Sequence, residues 1–187
     1  IESGPAAGVI AATLIGRQLH KPTLISFDMG GTNAKASLIK DGMIETTSEY
    51  EVGGEGNVNR WIHGTGHPIR VPVIDLAEVS AGGGSIAWVD PGGSLRVGPR
   101  SAGAEPGPVC YGKGGTEPTV TDCNLILGYL DPKAKLAGRL SIETGAAEQA
   151  IVSRLAEPLG LDVEAAAAGV IDVVNNAMAE ALRIVSV

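Results

Sequence analysis

The run Leu24-Ile25-Ser26-Phe27-Asp28-Met29-Gly30-Gly31-Thr32 carries an apolar strand pattern straight into a carboxylate, two glycines and a hydroxyl. A buried strand holds its end rigidly, so Asp28 is expected at a fixed point. Gly30 and Gly31 leave backbone N–H groups unobstructed, and a turn of such groups makes a concave anion site. Thr32 adds a hydroxyl able to donate to a phosphate. Asp28 is suited to hold Mg²⁺ through water, because Mg²⁺ takes one or two carboxylates and completes its shell with waters and substrate oxygens. The competing reading is an ordinary glycine-rich hairpin whose Asp caps a turn.

A second cluster joins Asp75 and Glu78 to Gly82-Gly83-Gly84-Ser85. Three glycines would free N–H groups for an anion or oxyanion, and the carboxylates could bind metal or serve as a base. A tight turn between strands, with surface acids, accounts for the same residues. Asp122, beside Thr121, reads either as a catalytic acid or as a helix-start residue. Other patterns carry less chemistry. Gly107-Pro108-Val109-Cys110-Tyr111-Gly112-Lys113-Gly114 ends in glycine where a P-loop needs Ser or Thr, and no strand or helix flanks it properly. His63 and His67 have helical metal-pair spacing but sit among glycines without a neighbouring carboxylate, which predicts exposed loop histidines. Cys110 and Cys123 form no CxxC and have no nearby His, so buried inert thiols are expected.

The elements that must position these groups follow from periodicity and punctuation. Ala6 to Leu19 predicts a helix of small residues, stopped near His20-Lys21-Pro22. Thr23 to Phe27, Ala36 to Ile39 and Met43 to Val52 predict successive antiparallel strands, with Asp41-Gly42 as a turn. Gly53 to Pro68 is a long Gly/Asn-rich loop. Val71 to Leu76 predicts a strand with proline near its start. Ser85 to Val89 and Ser94 to Val97 flank Asp90-Pro91-Gly92-Gly93, a hairpin signal. Thr119 or Thr121 is placed to cap a helix reaching about Leu130, and Ser141 to Leu155 and Asp162 to Val187 predict amphipathic helices, the second with Asp162 as N-cap. The class is α/β, a mixed sheet with flanking helices and a glycine-rich, loop-dense middle between residues 53 and 118.

Composition narrows the function classes. The chain has 187 residues, enough for one domain with a core, and a net charge of −7 that argues against an electrostatic nucleic-acid footprint. Aromatics are only 3%, too few for a base-stacking platform. The apolar stretch Ala6 to Ile15 is short of the ~20 residues a bilayer span needs, and no basic block suggests a membrane surface. Two cysteines fit a reducing compartment better than a disulfide framework, so a cytoplasmic setting is expected.

Longer motifs carry a resemblance. Glu2-Ser3-Gly4-Pro5-Ala6-Ala7-Gly8 before the Asp28 hairpin is similar to the second half of the actin-like ATPase fold of sugar kinases, actin and the large heat-shock chaperones. Asp75-Leu76-Ala77-Glu78-Val79-Ser80-Ala81-Gly82-Gly83-Gly84-Ser85 through Asp90, Arg96-Val97-Gly98-Pro99-Arg100-Ser101-Ala102-Gly103-Ala104-Glu105-Pro106-Gly107-Pro108, and Gly114-Gly115-Thr116-Glu117-Pro118-Thr119-Val120-Thr121-Asp122 together resemble the hydantoinase A/5-oxoprolinase family.

That resemblance implies residues 1–187 are an internal piece, the second half of an actin-like (ribonuclease H-like) ATPase domain, with 53–118 as an insertion. It implies ATP and Mg²⁺ as cofactors, a small cyclic amide as substrate, and two partners: the other half of the ATPase domain and a hydantoinase B-type subunit or domain. It implies that Asp28, Gly30, Gly31 and Thr32 form the second phosphate loop, with Asp28 near the metal, while Asp75, Glu78, Gly82, Gly83, Gly84 and Ser85 make the further site. Family members often carry Thr and Asp near the positions of Asn33 and Lys35, so this chain departs there. The alternatives are an acetone carboxylase-type subunit, which activates a ketone enol and bicarbonate with the same ATP-binding half, and a non-enzymatic actin-like regulatory module.

Overall fold

The computed structural model describes residues 3–48, 50–52, 67–133, 135, 138 and 140–186. Glu2 and most of the expected loop, including His63, lie outside the described residues. Contacts divide the chain into two compact units: one takes residues up to Met29, Asn33–Val79 and those from Met178 on, and the other takes Gly30–Thr32 and Ser80–Ala177.

In the first unit, helix α1 (Ser3–Gln18) buries Val9, Thr13 and Gly16, a spacing of four and three that puts them on one helix face. It ends where His20 adopts a left-handed φ of 53° and Lys21 N–H donates to the Gly16 carbonyl at 2.8 Å. Strands β1 (Leu24–Met29) and β2 (Ala34–Lys40) form an antiparallel hairpin whose register runs from Leu24↔Ile39 to Met29↔Ala34. Asp41 and Gly42, with φ of 53° and 75°, turn β2 into β3 (Met43–Ile44), the paired positive φ that a two-residue hairpin loop of type I′ needs.

The expected single strand from Met43 to Val52 is instead three short ones. After β3 come β4 (Thr46–Thr47) and β5 (Tyr50–Val52). Strand β6 (His67–Ile69) pairs with β5, and β7 (Val73–Ile74) pairs with β4, so each piece takes a different partner and the run cannot stay continuous. The expected strand at Val71 to Leu76 is only Val73–Ile74. Strand β8 (Ala77–Val79) then joins β2 on the side away from β1. The expected mixed sheet is corrected: every strand pair among the described residues is antiparallel, as short connections such as those joining β1 to β2 and β2 to β3 require. The strand before Asp28, expected to be buried, is instead largely exposed: among the described residues β1 has a neighbour on one side only, and its Ile25, Phe27 and Met29 face solvent.

In the second unit, β9 (Ser85–Val89) and β10 (Leu95–Ser101) form the expected hairpin. Asp90 Oδ1 accepts N–H bonds from Gly92 and Ser94 at 2.9 Å, and Arg96 Nε donates to Oδ2 at 2.8 Å. The Ser94 N–H, then the Arg96 guanidinium, hold the Asp90 carboxyl below the usual carboxylate range. A 3₁₀ turn at Val109–Tyr111 precedes α2 (Val120–Ile126). That helix stops four residues short of the expected Leu130, because Gly128 is left-handed at φ 76° and the N–H groups of Tyr129 and Leu130 both fold back to the Asn124 carbonyl. Helix α3 (Thr144–Ile151) continues through a π-helical turn, Val152–Ala156, into α4 (Glu157–Leu159). Asp162 starts α5 (Val163–Ser186) as expected, its Oδ1 accepting the Ala165 N–H at 2.7 Å. The core here is built from small side chains, with Ala87, Cys110, Cys123, Ala147, Ala166 and Ala167 almost fully buried around Ile151 and Leu155. No helix among the described residues is long and apolar enough to cross a membrane.

Candidate functional site

The strand register gathers charge into a row. Asp28 on β1 lies opposite Lys35 on β2, and Lys35 lies opposite Glu78 on β8. Directly opposed residues share one face of a sheet, so the three form an acid–base–acid line on one face. Lys35 Nζ is 3.5 Å from Glu78 Oε1, and the Asn33 side-chain amide also donates to that oxygen. The Lys35 side chain is nearly buried at 11% exposure, so its ammonium is held in a partly desolvated place. Asn33 and Lys35, the two departures in sequence, therefore secure Glu78. No local signal joins residues 33 and 35 to 78; only strand pairing does. Asp75 lies outside the row, between β7 and β8, with its N–H donated to the Glu45 carbonyl at 3.0 Å. Asp28 is exposed.

The Gly30–Thr32 turn is organised by backbone alone. Gly83 N–H donates to the Gly30 carbonyl at 3.0 Å, and Gly84 N–H donates to the Gly31 carbonyl at 2.6 Å. In a trans peptide the carbonyl and the following N–H point in opposite directions. With the Gly30 and Gly31 carbonyls drawn toward Gly83 and Gly84, the N–H groups of Gly31 and Thr32 face the other way. Among the described residues neither donates to a backbone carbonyl. A Cβ added at Gly31 would meet no protein atom within 4 Å, so the space at Gly31 is open. Two successive N–H groups without a backbone acceptor, beside that open space, suit an anion.

The triple glycine works from behind that turn. A Cβ at Gly82 would lie 2.6 Å from three backbone atoms of Gly31 and Thr32, and one at Gly84 would lie 2.9 Å from the Gly31 carbonyl oxygen. The expectation that Gly82, Gly83 and Gly84 offer free N–H groups is corrected: Gly82 donates to Ser85 Oγ at 2.9 Å and the other two donate to the turn. The glycines allow close backbone approach, and Ser85, almost fully buried, closes their own tight turn. Thr32 Oγ1 lies 3.4 Å from the Ser101 hydroxyl, which accepts the Gly103 N–H at 3.1 Å. Ser101 is a neighbour of Thr32 that the chain's linear order hides, 69 residues away.

Asp122 takes the helix-start role. Thr119 is the N-cap of α2, and Asp122 completes a capping box with it. The carboxylate is fully buried and accepts N–H bonds from Cys110 and Thr119 at 2.8 Å, from Val109 at 3.2 Å, and the Thr119 hydroxyl at 2.8 Å. Burial, and then the Asp122 charge, push the Cys123 thiol up to about 12 and the Cys110 thiol higher still. Neither is a nucleophile at neutral pH, as expected of buried thiols. Among the described residues no group of three or more His, Cys, Asp or Glu could hold a metal ion, so a chelate made only of side chains is absent there. A single exposed carboxylate at Asp28 suits an ion that keeps its waters and takes oxygens from a ligand.

A family model described as hydantoinase/oxoprolinase matches residues 1–187. The chain belongs to the hydantoinase/oxoprolinase family. Within that family it is 58% identical over 187 residues to an uncharacterized protein of Methanocaldococcus jannaschii, covering all of this chain and 27% of that protein. It is 46% identical over 187 residues to the caprolactamase subunit alpha of Pseudomonas jessenii, covering all of this chain and 25% of that subunit. A nucleotide-free structure of acetone carboxylase superposes with a TM-score of 0.81 at 33% identity, over 97% of this chain and 24% of that one. The chain thus spans about a quarter of the length of these relatives. The hydantoinase/oxoprolinase motifs read from sequence and the α/β class with flanking helices both stand.

Proposed function

We propose that this chain supplies one phosphate-binding turn of an ATP-dependent enzyme that opens a cyclic amide. The observation that carries the reading is the pair of N–H groups at Gly31 and Thr32, turned away from Gly83 and Gly84, with open space at Gly31. These donors, with the Thr32 hydroxyl, hold phosphate oxygens and neutralise their charge, which is most of what a protein contributes to phosphoryl transfer. Asp28, two residues upstream, orients a water-clad Mg²⁺. Glu78, held by Lys35 and Asn33, is the candidate general base. Mg·ATP supplies the γ-phosphoryl group that makes a ring amide oxygen a leaving group and its carbon open to water. In this reading residues 1–187 are the second half of an actin-like ATPase domain. The other half and a hydantoinase B-type subunit or domain are its partners.

The substrate class is drawn from the relative named caprolactamase, at 46% identity. The structural likeness to acetone carboxylase supports a second reading, activation of a ketone and bicarbonate by the same turn. Phosphate release from ATP by the full-length parent and its partner subunit separates them, assayed with caprolactam, 5-oxoproline, hydantoins, and acetone plus bicarbonate. Stimulation by a ring amide is expected. Stimulation only by the ketone with bicarbonate would move the protein to the carboxylases, and no stimulation by any of them would overturn both.

A further inference from the structure

The Gly31 and Thr32 donors stand at the ends of two parallel lines of peptide groups. In one, the Ser85 N–H donates to the Gly82 carbonyl at 3.0 Å, the N–H of that same Gly82–Gly83 peptide donates to the Gly30 carbonyl, and the Gly30–Gly31 peptide ends in the outward Gly31 N–H. In the other, the Gly83–Gly84 peptide leads through the Gly31 carbonyl to the outward Thr32 N–H. The head of this second line is Thr121. Its backbone N–H and its Oγ1 both donate to the Gly83 carbonyl, each at 2.8 Å. Thr121 is the second residue of α2, so its N–H is one of the donors a helix start leaves without an internal partner.

We propose that Thr121 is a positioning residue for the phosphate turn, aiming and polarising the Thr32 N–H through the Gly83–Gly84 and Gly31–Thr32 peptides. This rests on the reading of Gly30–Thr32 as a phosphate contact. Two donors on one carbonyl fix the plane of the Gly83–Gly84 peptide. That plane sets the Gly84 N–H on the Gly31 carbonyl, and the Gly31 peptide plane sets the direction of the Thr32 N–H. Hydrogen-bonded peptides in line polarise one another, with the positive end at the outward N–H where an anion would sit. The position is held from both sides. A Cβ at Gly83 would lie 2.9 Å from Thr121 Oγ1, so glycine there is what lets the hydroxyl reach the carbonyl. Behind it, the Thr119–Asp122 capping box fixes the start of α2.

The test uses the full-length parent with its partner subunit, carrying T121V, which keeps the branched shape but loses the hydroxyl, and T121S, which keeps the hydroxyl. Two readouts are taken: KM for Mg·ATP against KM for the ring amide, and the slowing of amide hydrogen exchange that Mg·ATP causes in a peptide covering residues 28–33. T121V is expected to raise KM for Mg·ATP about tenfold, with little change in KM for the amide, the scale of one lost hydrogen bond. It should also lose much of the nucleotide-dependent protection, while T121S stays within about twofold of the native enzyme. Equal KM values and equal protection in T121V would overturn the role of Thr121 while leaving the turn as a phosphate contact. Equal loss in T121V and T121S would also overturn it, since shape rather than the hydroxyl would then matter. If the native protein itself shows no protection of residues 28–33 by Mg·ATP, the phosphate reading falls and this inference with it.

Discussion

The charged row and the glycine turn are built on opposite principles. Asp28, Lys35 and Glu78 are side chains brought level by strand register, and any one could change without moving the backbone. The Gly30–Thr32 turn holds its shape chiefly through carbonyls and N–H groups, against Gly82 and Gly84, where a side chain would clash. The first device is side chains on a scaffold; in the second the scaffold itself presents the donors. On the proposed reading, a substitution in the row should act more on activity than on stability, and one behind the turn can alter stability first.

The sharpest way to break that contrast is Asp28→Ala in the full-length enzyme. If Asp28 serves as proposed, turnover of ATP should fall by at least ~10²-fold, the scale of losing one group that stabilises reacting charge, with the melting temperature unchanged. Near-normal activity with normal Mg²⁺ dependence would remove Asp28 from the site. Next come two identical changes with opposite outcomes. Gly82→Ala forces a Cβ against three backbone atoms and should cost about 1–3 kcal/mol of stability, seen in a denaturant melt. Gly31→Ala meets nothing in the protein, so its melt should match the native one while KM for Mg·ATP rises. A normal KM in Gly31→Ala would mean that the open space at Gly31 receives no ligand. Lys35→Met is smaller. It leaves Glu78 with the neutral Asn33 amide from outside the row and should cost about 1 kcal/mol, with Lys35→Arg recovering part of it.

Two weaker effects sharpen the contrast from outside the site. Cys110 and Cys123 should resist a thiol reagent in the native protein up to pH 9 and react only after unfolding, because burial first and the Asp122 charge second hold both as thiols. The smallest effect concerns Arg100, whose guanidinium grips Glu117 through two bonds of 2.8 and 3.0 Å and lowers its carboxyl below the usual range. A depressed carboxyl stabilises the fold above the unfolded-state value and loses that contribution as pH falls through the folded one. Glu117→Gln should therefore narrow the gap in melting temperature between neutral and acid pH, slightly, since both side chains are exposed.

Local chemistry made part of this legible from sequence. Asp41-Gly42 and Asp90-Pro91-Gly92-Gly93 announce their turns through residues that tolerate left-handed backbone. Asp162 and Thr119 announce helix starts through side chains that accept a nearby N–H. Alternating apolar residues before Asp28 announce β1. What sequence hides is direction and distance. Glycine says that room is needed, but not on which side, so Gly82–Gly84 looked like donors when they are the backing of another loop. The partnership of Lys35 with Glu78, and of Thr121 with Gly83, spans dozens of residues with no local trace. The run from Met43 to Val52 broke into pieces because its partners arrive from Ile69 and Ile74 rather than from its own ends.

Four consecutive residues at the start of α2 face three destinations. Thr119 and Asp122 close on each other and on the 3₁₀ turn, Val120 enters the core, and Thr121 reaches Gly83. A helix advances 100° per residue, so inserting or deleting a single residue here would hand every one of these tasks to the wrong side chain at once. Point changes in this tetrad can be repaired singly, but a shift of frame cannot. In a lineage of such proteins the segment should therefore travel as an indivisible block, and length variation should be found elsewhere in the chain.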